Sequence, residues 1–377
     1  MAKITFLIGA GASAEALSLV VDFKNQLEKY SDKNGSFYKT FSDLYRYFSP
    51  IQARRFKDYF IFFTSQIEKV VKQLNSITID QYAKNLFDTD QQGHYEDLKC
   101  LLSAFFALEQ LQSNLPNINF DDQRKEFISP EINNRHIDPR YRFLWSILVR
   151  GNNIPNRNVS IISWNYDLQP ELSYEDYFWN NYFSTINQED IPFKIGELFQ
   201  TIPRSSVKKY SNDSVDKFSI TKLNGVAGFY HQSTTRESLS SYLFGKEPVT
   251  LELIYAILED YCFASPLSSY HTTSRKTTLK FAWENNHNGS EIVNKAKERT
   301  QDTEVLVIIG YSFPDYNREI DNEILSNMTS LKSIYIMDNA SNITARVKEI
   351  KKMNLNNIKV HKHPYLNKFV IPNELKP

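Results

Sequence analysis

The chain has 377 residues, 44 basic and 44 acidic side chains, a formal net charge of zero, 41% hydrophobic residues and 14% aromatics. This is enough chain for one large α/β domain with insertions or two ordinary domains, and the composition excludes a disordered protein. Charge neutrality removes the long-range field of a protein built to grip phosphate backbones, so direct nucleic-acid binding is not expected. The only two cysteines, Cys100 and Cys262, supply neither a disulfide framework nor a four-cysteine zinc ribbon; no zinc is expected, and a reduced, cytoplasmic protein is.

Residues 4–8 form a short β-branched and aromatic run that leads directly into Gly9-Ala10-Gly11-Ala12-Ser13-Ala14. The stretch 4–21 imitates a leader peptide, but Gly9 and Gly11 break the apolar run and Glu15 lies inside it. A strand, a Gly-rich turn and a helix from Glu15 onward explain it better.

Between 24 and 150 no comparable strand occurs, and helical patterns fall at 44–48, 56–74, 98–111 and 141–149, read together as a helical insertion module. Tyr59, Phe62, Phe63, Ile67, Val70 and Val71 recur at three- and four-residue steps, as one helical face requires. Such spacing suits a core or a subunit interface better than a base-stacking groove, which needs basic residues on the same face.

Extended runs return at 159–163, 220–223, 305–309, 333–337 and 358–360, alternating with helical patterns at 251–261, 278–284, 291–297, 318–325 and 345–353. Alternation of this kind predicts an α/β fold, a Rossmann-like, doubly wound and mainly parallel sheet with the large helical insertion built into it. Consecutive apolar residues at 305–309 and at Ile161-Ile162 place those strands at its centre. No linker divides the chain, so a single domain spanning 1–377 is expected, with the insertion at 24–150; polar stretches at 205–217 and 232–240 read as surface loops.

Four predicted strand ends carry polar residues or glycine. Gly9-x-Gly11-x-x-Ala14 follows a strand and opens a helix, the context a dinucleotide fingerprint needs: a tight turn, close backbone approach to a pyrophosphate and close helix packing. A Gly-rich turn without a ligand is the alternative. After the second strand comes Ser163-Trp164-Asn165-Tyr166-Asp167, where a carboxamide and a carboxylate face the crevice or, more plainly, form an Asx turn capping the next helix. Lys222-Leu223-Asn224-Gly225 and Ile309-Gly310-Tyr311-Ser312-Phe313-Pro314-Asp315 complete the set. Their shared location argues for one ligand crevice.

The segments FLIGAGASAEA, SWNYD, KLNG and IIGYSFPD, in this order over nearly the whole chain, resemble the sirtuin-like family, in particular its bacterial anti-phage branch of NAD-consuming enzymes. The resemblance implies that Gly9, Ala10, Gly11, Ala12 and Ser13 bind the NAD+ phosphates, that Asn165 and Asp167 sit at the nicotinamide ribose, and that Gly310, Ser312 and Phe313 contact the adenosine side. By the same resemblance Asp338 and Asn339 are placed for the adenine ribose, and Gly225 is a cofactor-binding residue. The family's K-L-H-G motif carries a histidine treated as the catalytic base; here the position is Asn224, whose carboxamide takes no proton near neutral pH.

His231, seven positions on, is the substitute base to consider, against the plainer reading of a loop histidine; His361 and His363, in a basic stretch, read as a solvated face. The resemblance implies an NAD+ glycohydrolase that releases nicotinamide and ADP-ribose as an anti-phage effector, homo-oligomeric and activated by a partner such as a HerA-type hexameric ATPase. The alternative it leaves open is a catalytically silent NAD- or ADP-ribose-binding assembly subunit. Neither a membrane nor nucleic acid is an expected partner.

Overall fold

The computed structural model describes residues 2–17, 23–112, 119–121, 126–128, 137–150, 154–155, 158–182, 199–202, 218–232, 237–239, 251–285, 290–338, 343–351, 358–363, 368–369 and 371–375. The chain forms two compact units. The first comprises Met1–Glu15, Asp138–Gly225 and Lys280–Pro377; the second comprises Ala16–Ile137 and Val226–Leu279.

The first unit is an α/β structure. Its sheet has seven strands among the described residues, which we number β1 (Ile4–Ile8), β2 (Val159–Ser163), β3 (Phe199–Ile202), β4 (Phe218–Lys222), β5 (Val305–Ile309), β6 (Ser333–Met337) and β7 (Lys359–His363). They lie in the order β7-β6-β5-β1-β2-β4-β3, and every neighbouring pair runs parallel. From β1 the chain builds outward on one side through β2 and β4, then returns to build β5, β6 and β7 on the other. The C-terminal ends of β2 and β5 therefore flank that of β1, with Ile8 in register with Ser163 and with Ile309.

Both faces of the sheet are covered, which explains why β1 and β5 are apolar at nearly every position. On one face Phe6, Ile161 and Val307 pack with Tyr141, Leu144, Trp145 and Leu148 of α1 (Pro139–Leu148) and Tyr174 of α2 (Gln169–Tyr182). On the other, Leu7, Ile162, Leu306 and Ile308 pack with Val293 and Ala296 of α3 (Glu291–Thr300). Ile320 and Ile324 of α4 (Arg318–Asn327) and Val347 of α5 (Ile343–Lys351) complete that layer. Each fully buried side chain of this kind contributes about 1.5–3 kcal/mol.

The second unit is mainly helical, with helices at Phe23–Ser31, Ser36–Asp43, Pro50–Gln73, Ile79–Asp88, Gln92–Gln112 and Leu251–Ala264. A three-stranded sheet joins Glu237–Leu239, Phe229–Gln232 and Arg275–Thr277, antiparallel throughout. Aromatic side chains form its core: Tyr30 meets Phe63 edge-on at 5.7 Å, and Phe63 meets Tyr261 at the same separation. Pro50 at a first helical turn and a Thr78–Gln81 capping box fix two helix starts.

Several elements differ from the sequence expectation. Residues 10–13 form a short 3-10 turn, and the next described helix begins at Phe23 rather than Glu15. The helical module expected at 24–150 has other limits: the second unit also takes in 226–279, while Pro139–Leu148 packs on the sheet because Tyr141, Leu144, Trp145 and Leu148 make one apolar stripe. Strand β3 and helix α2 carried no readable period. The pattern at 278–284 yields only a 3-10 turn at Ala282–Asn285. Residues 205–217 lie outside the described residues. Among the described residues no helix is long and apolar enough to cross a membrane.

Candidate functional site

The ends of β1, β2, β4 and β5 meet through the motif residues themselves. The Asn165 carboxamide donates from Nδ2 to the Gly9 carbonyl at 3.0 Å and to Ser13 Oγ at 3.3 Å, while the Asn165 backbone N–H donates to Ser163 Oγ at 3.1 Å. Asn165 and Asp167 are both buried, at 7% and 5% exposure. With both Nδ2 hydrogens engaged, Asn165 has its carboxamide oxygen, an acceptor, left to offer a ligand.

The glycines that follow β1 and β5 pack backbone to backbone. A Cβ on Gly9 would lie 2.5 Å from the Gly310 carbonyl oxygen, one on Gly11 2.8 Å from Gly310 Cα, and one on Gly310 2.4 Å from the Gly11 carbonyl carbon. Gly310 also has φ +56°, the left-handed region that glycine adopts without strain. The Gly9 amide donates to Ile309 O, the Gly11 amide to Gly310 O and the Ala12 amide to Gly9 O, at 3.0, 3.0 and 2.9 Å. These glycines are thus required by the junction of two strand ends, and the three amides are engaged within the protein.

The turn is clamped from α1. Asp138, fully buried, accepts from the Glu15 amide at 3.1 Å and from the Arg140 amide at 3.0 Å, and it pairs with the Arg140 guanidinium. Arg140 Nη2 in turn donates to the carbonyls of Gly11 and Ala12, both at 3.2 Å. Gln169 Oε1 accepts from the Asp138 amide at 2.8 Å. Tyr141 Oη lies 3.3 Å from Ser13 Oγ.

At the end of β4, Gly225 turns the chain with φ +75°. Asn224, 7% exposed, donates from Nδ2 to the Trp164 carbonyl at 3.3 Å, and its Oδ1 is buried with no hydrogen-bond partner among the described residues. Lys222 is fully buried, with Nζ 3.2 Å from Glu171 Oε2 and donating to the Asp167 carbonyl. Burial raises the Asp167 carboxyl above the usual carboxylate range, while the Lys222 ammonium, the Gln169 amide and Ser13 oppose the rise. Glu171 is raised by burial as well, again opposed by Lys222.

A second buried network lies at the start of α4. Asp321 accepts from Trp164 Nε1 at 3.1 Å and from Tyr311 Oη at 2.7 Å, and the Trp164 and Tyr311 rings stack 6.0 Å apart. Burial pushes the Asp321 carboxyl up to about 7, with both hydrogen bonds working against the rise.

The structure therefore joins Gly9, Gly11, Ser13, Asn165, Asp167 and Gly310, with Asn224 reached through the Trp164 carbonyl. Ala10 and Ser312 are exposed, Ala12 is core, and Asp338 is half-buried directly after β6. Phe313, with φ +55°, is buried among apolar residues on the α3–α5 face and lies against Tyr311 at 4.6 Å. Asn339 lies outside the described residues. His231, expected in a loop, lies in a strand of the second unit, opposite Ser238 and Arg275, because the Phe229-Tyr230 pair starts an extended run there.

Sequence reasoning did not single out Asp138, Arg140, Glu171 and Asp321. Asp138-Pro139 carried a helix-start signal, a capping residue before Pro at a first helical position. The others carried none, since buried partners are chosen by packing. Cys100 and Cys262 are free thiols, both buried. No protein-family model matches the chain, and no curated protein matches it.

Proposed function

We propose that the protein is an NAD+ glycohydrolase of the sirtuin-like kind, cytoplasmic, acting as an effector of anti-phage defence and activated in a homo-oligomer or with a partner such as a HerA-type ATPase. On this reading the first unit is a Rossmann-like, doubly wound domain, with the dinucleotide lying across the ends of β1, β2, β4 and β5. One observation carries it: Asn165 of the SWNYD segment hydrogen-bonds Gly9 and Ser13 of the GAGAS turn, so the two most informative motifs form one polar cluster at the strand ends.

In the reaction the C1′–N bond of the nicotinamide ribose breaks, nicotinamide leaves as a neutral base with the bonding pair, and water adds to C1′ and loses a proton. The leaving group needs no acid. Asp167 stabilises positive charge developing on the ribose, and the Asn165 oxygen accepts from a ribose hydroxyl or the attacking water. Absence of a positioned base lowers the rate by roughly 10²–10⁴-fold without forbidding the reaction. The test is nicotinamide release from NAD+ by the chain alone and with its partner.

Asn224 favours a second reading, a silent NAD- or ADP-ribose-binding subunit, since its buried Oδ1 accepts a hydrogen bond but takes no proton. Binding without product in every assembly selects it.

A further inference from the structure

We infer that Lys222 is a positioning residue of the candidate site: it ties the end of β4 to the turn carrying Asn165 and Asp167 and supplies the positive charge facing the buried Asp167 and Glu171. The inference rests on the proposed reading for its catalytic consequence but not for its geometry. Lys222 is the last residue of β4, and its ammonium donates to the Asp167 carbonyl and pairs with Glu171 on α2. It thereby connects β4, the turn that carries Asn165 and Asp167, and α2.

A fully buried ammonium is expensive to desolvate, and apolar residues of similar volume commonly stabilise a fold as well or better. What an apolar residue does not supply is charge. The groups facing Asp167 are Lys222, Ser13, the Gln169 amide and Asp138, of which Lys222 alone is cationic; Glu171 faces Lys222 and Asp167. Asp138 is itself paired with Arg140, and Tyr141 faces Asp167 from the same helix. Without Lys222, the described groups that oppose the burial of Asp167 are the neutral donors Gln169 and Ser13. Its carboxyl then holds a proton to higher pH and offers less negative charge to a cationic ribose.

The experiment follows Asp167 directly. In ligand-free protein with carboxyl-labelled aspartate, assigned by comparison with Asp167→Asn, the Asp167 carbon resonance is titrated in the wild type, Lys222→Met, Lys222→Arg and the double variant Lys222→Met/Glu171→Gln. The expected result is a midpoint raised by about one pH unit or more in Lys222→Met, and near the wild-type value in Lys222→Arg. The double variant also removes the carboxylate that faces Lys222, so it reports even where Lys222→Met does not fold, and its midpoint is raised too. An unchanged midpoint in either folded variant overturns the inference. Nicotinamide release measured over the same pH range should show its rising limb displaced by the same amount, with kcat reduced more than KM. Failure of the wild type to bind or cleave NAD+ in any assembly removes the proposed function, while the Asp167 titration still decides the role of Lys222.

Discussion

Asn165 donates both hydrogens of its carboxamide to the first strand-end turn, one to the Gly9 carbonyl at 3.0 Å and one to Ser13 Oγ at 3.3 Å. A residue expected to face substrate is therefore also a brace between β1 and β2. The two roles use opposite ends of one amide.

Replacing Asn165 by Ala should accordingly do two things. Nicotinamide release falls to background, and denaturant unfolding shows a loss of roughly 1–3 kcal/mol from two buried hydrogen bonds, the Gly9 carbonyl keeping its bond from the Ala12 amide. A variant of unchanged stability contradicts the brace.

Asn224→His tests the missing base. The Trp164 carbonyl that now accepts from Asn224 Nδ2 can accept from one imidazole nitrogen, which leaves the other free to take a proton. Where an intact glycohydrolase site lacks only its base, turnover should rise by up to roughly 10²-fold or more in a nicotinamide-release assay. No rise at all would place the protein with the silent binders.

The glycine junction predicts a stability effect that is independent of any ligand. Gly310→Ala forces a Cβ to 2.4 Å from the Gly11 carbonyl carbon at a left-handed φ of +56°, so β1 and β5 must separate at their ends. Strain and displacement together should destabilise by about 2 kcal/mol or more, read from the urea midpoint.

Asp321 makes stability depend on pH with a definite sign. Its carboxyl titrates at about 7 in the folded protein against a reference of 3.8, so across that window the folded state holds a proton that the unfolded chain has lost. This contribution is fully present below about 4 and is lost as pH rises through about 7. Asp321→Asn should flatten that part of the urea-midpoint profile, and an identical slope in wild type and variant would show that Asp321 does not titrate there.

The strands of the sheet were legible because their signal is local. Residues 4–8 and 305–309 are apolar on consecutive positions, as burial on both faces demands, and the polar segments that follow them mark the strand ends. Strand β3 was not legible, since Phe199-Gln200-Thr201-Ile202 at the sheet edge is too short and too mixed to show a period. Nor was the setting of His231, where the six residues after Asn224 say nothing about which element the chain enters next.

From the amino-acid order alone came a parallel α/β sheet and four polar strand ends, because side-chain period and turn chemistry act over a few residues. Tertiary structure alone decided what those ends do to each other. Gly11 meets Gly310, Arg140 reaches the carbonyls of the Gly-rich turn, Lys222 meets Glu171 and Asp321 joins Trp164 to Tyr311. Each pairing satisfies buried backbone or charge across a separation of tens to hundreds of residues. Such partners are selected by which strands become neighbours in the sheet, and that order is fixed by packing the whole chain.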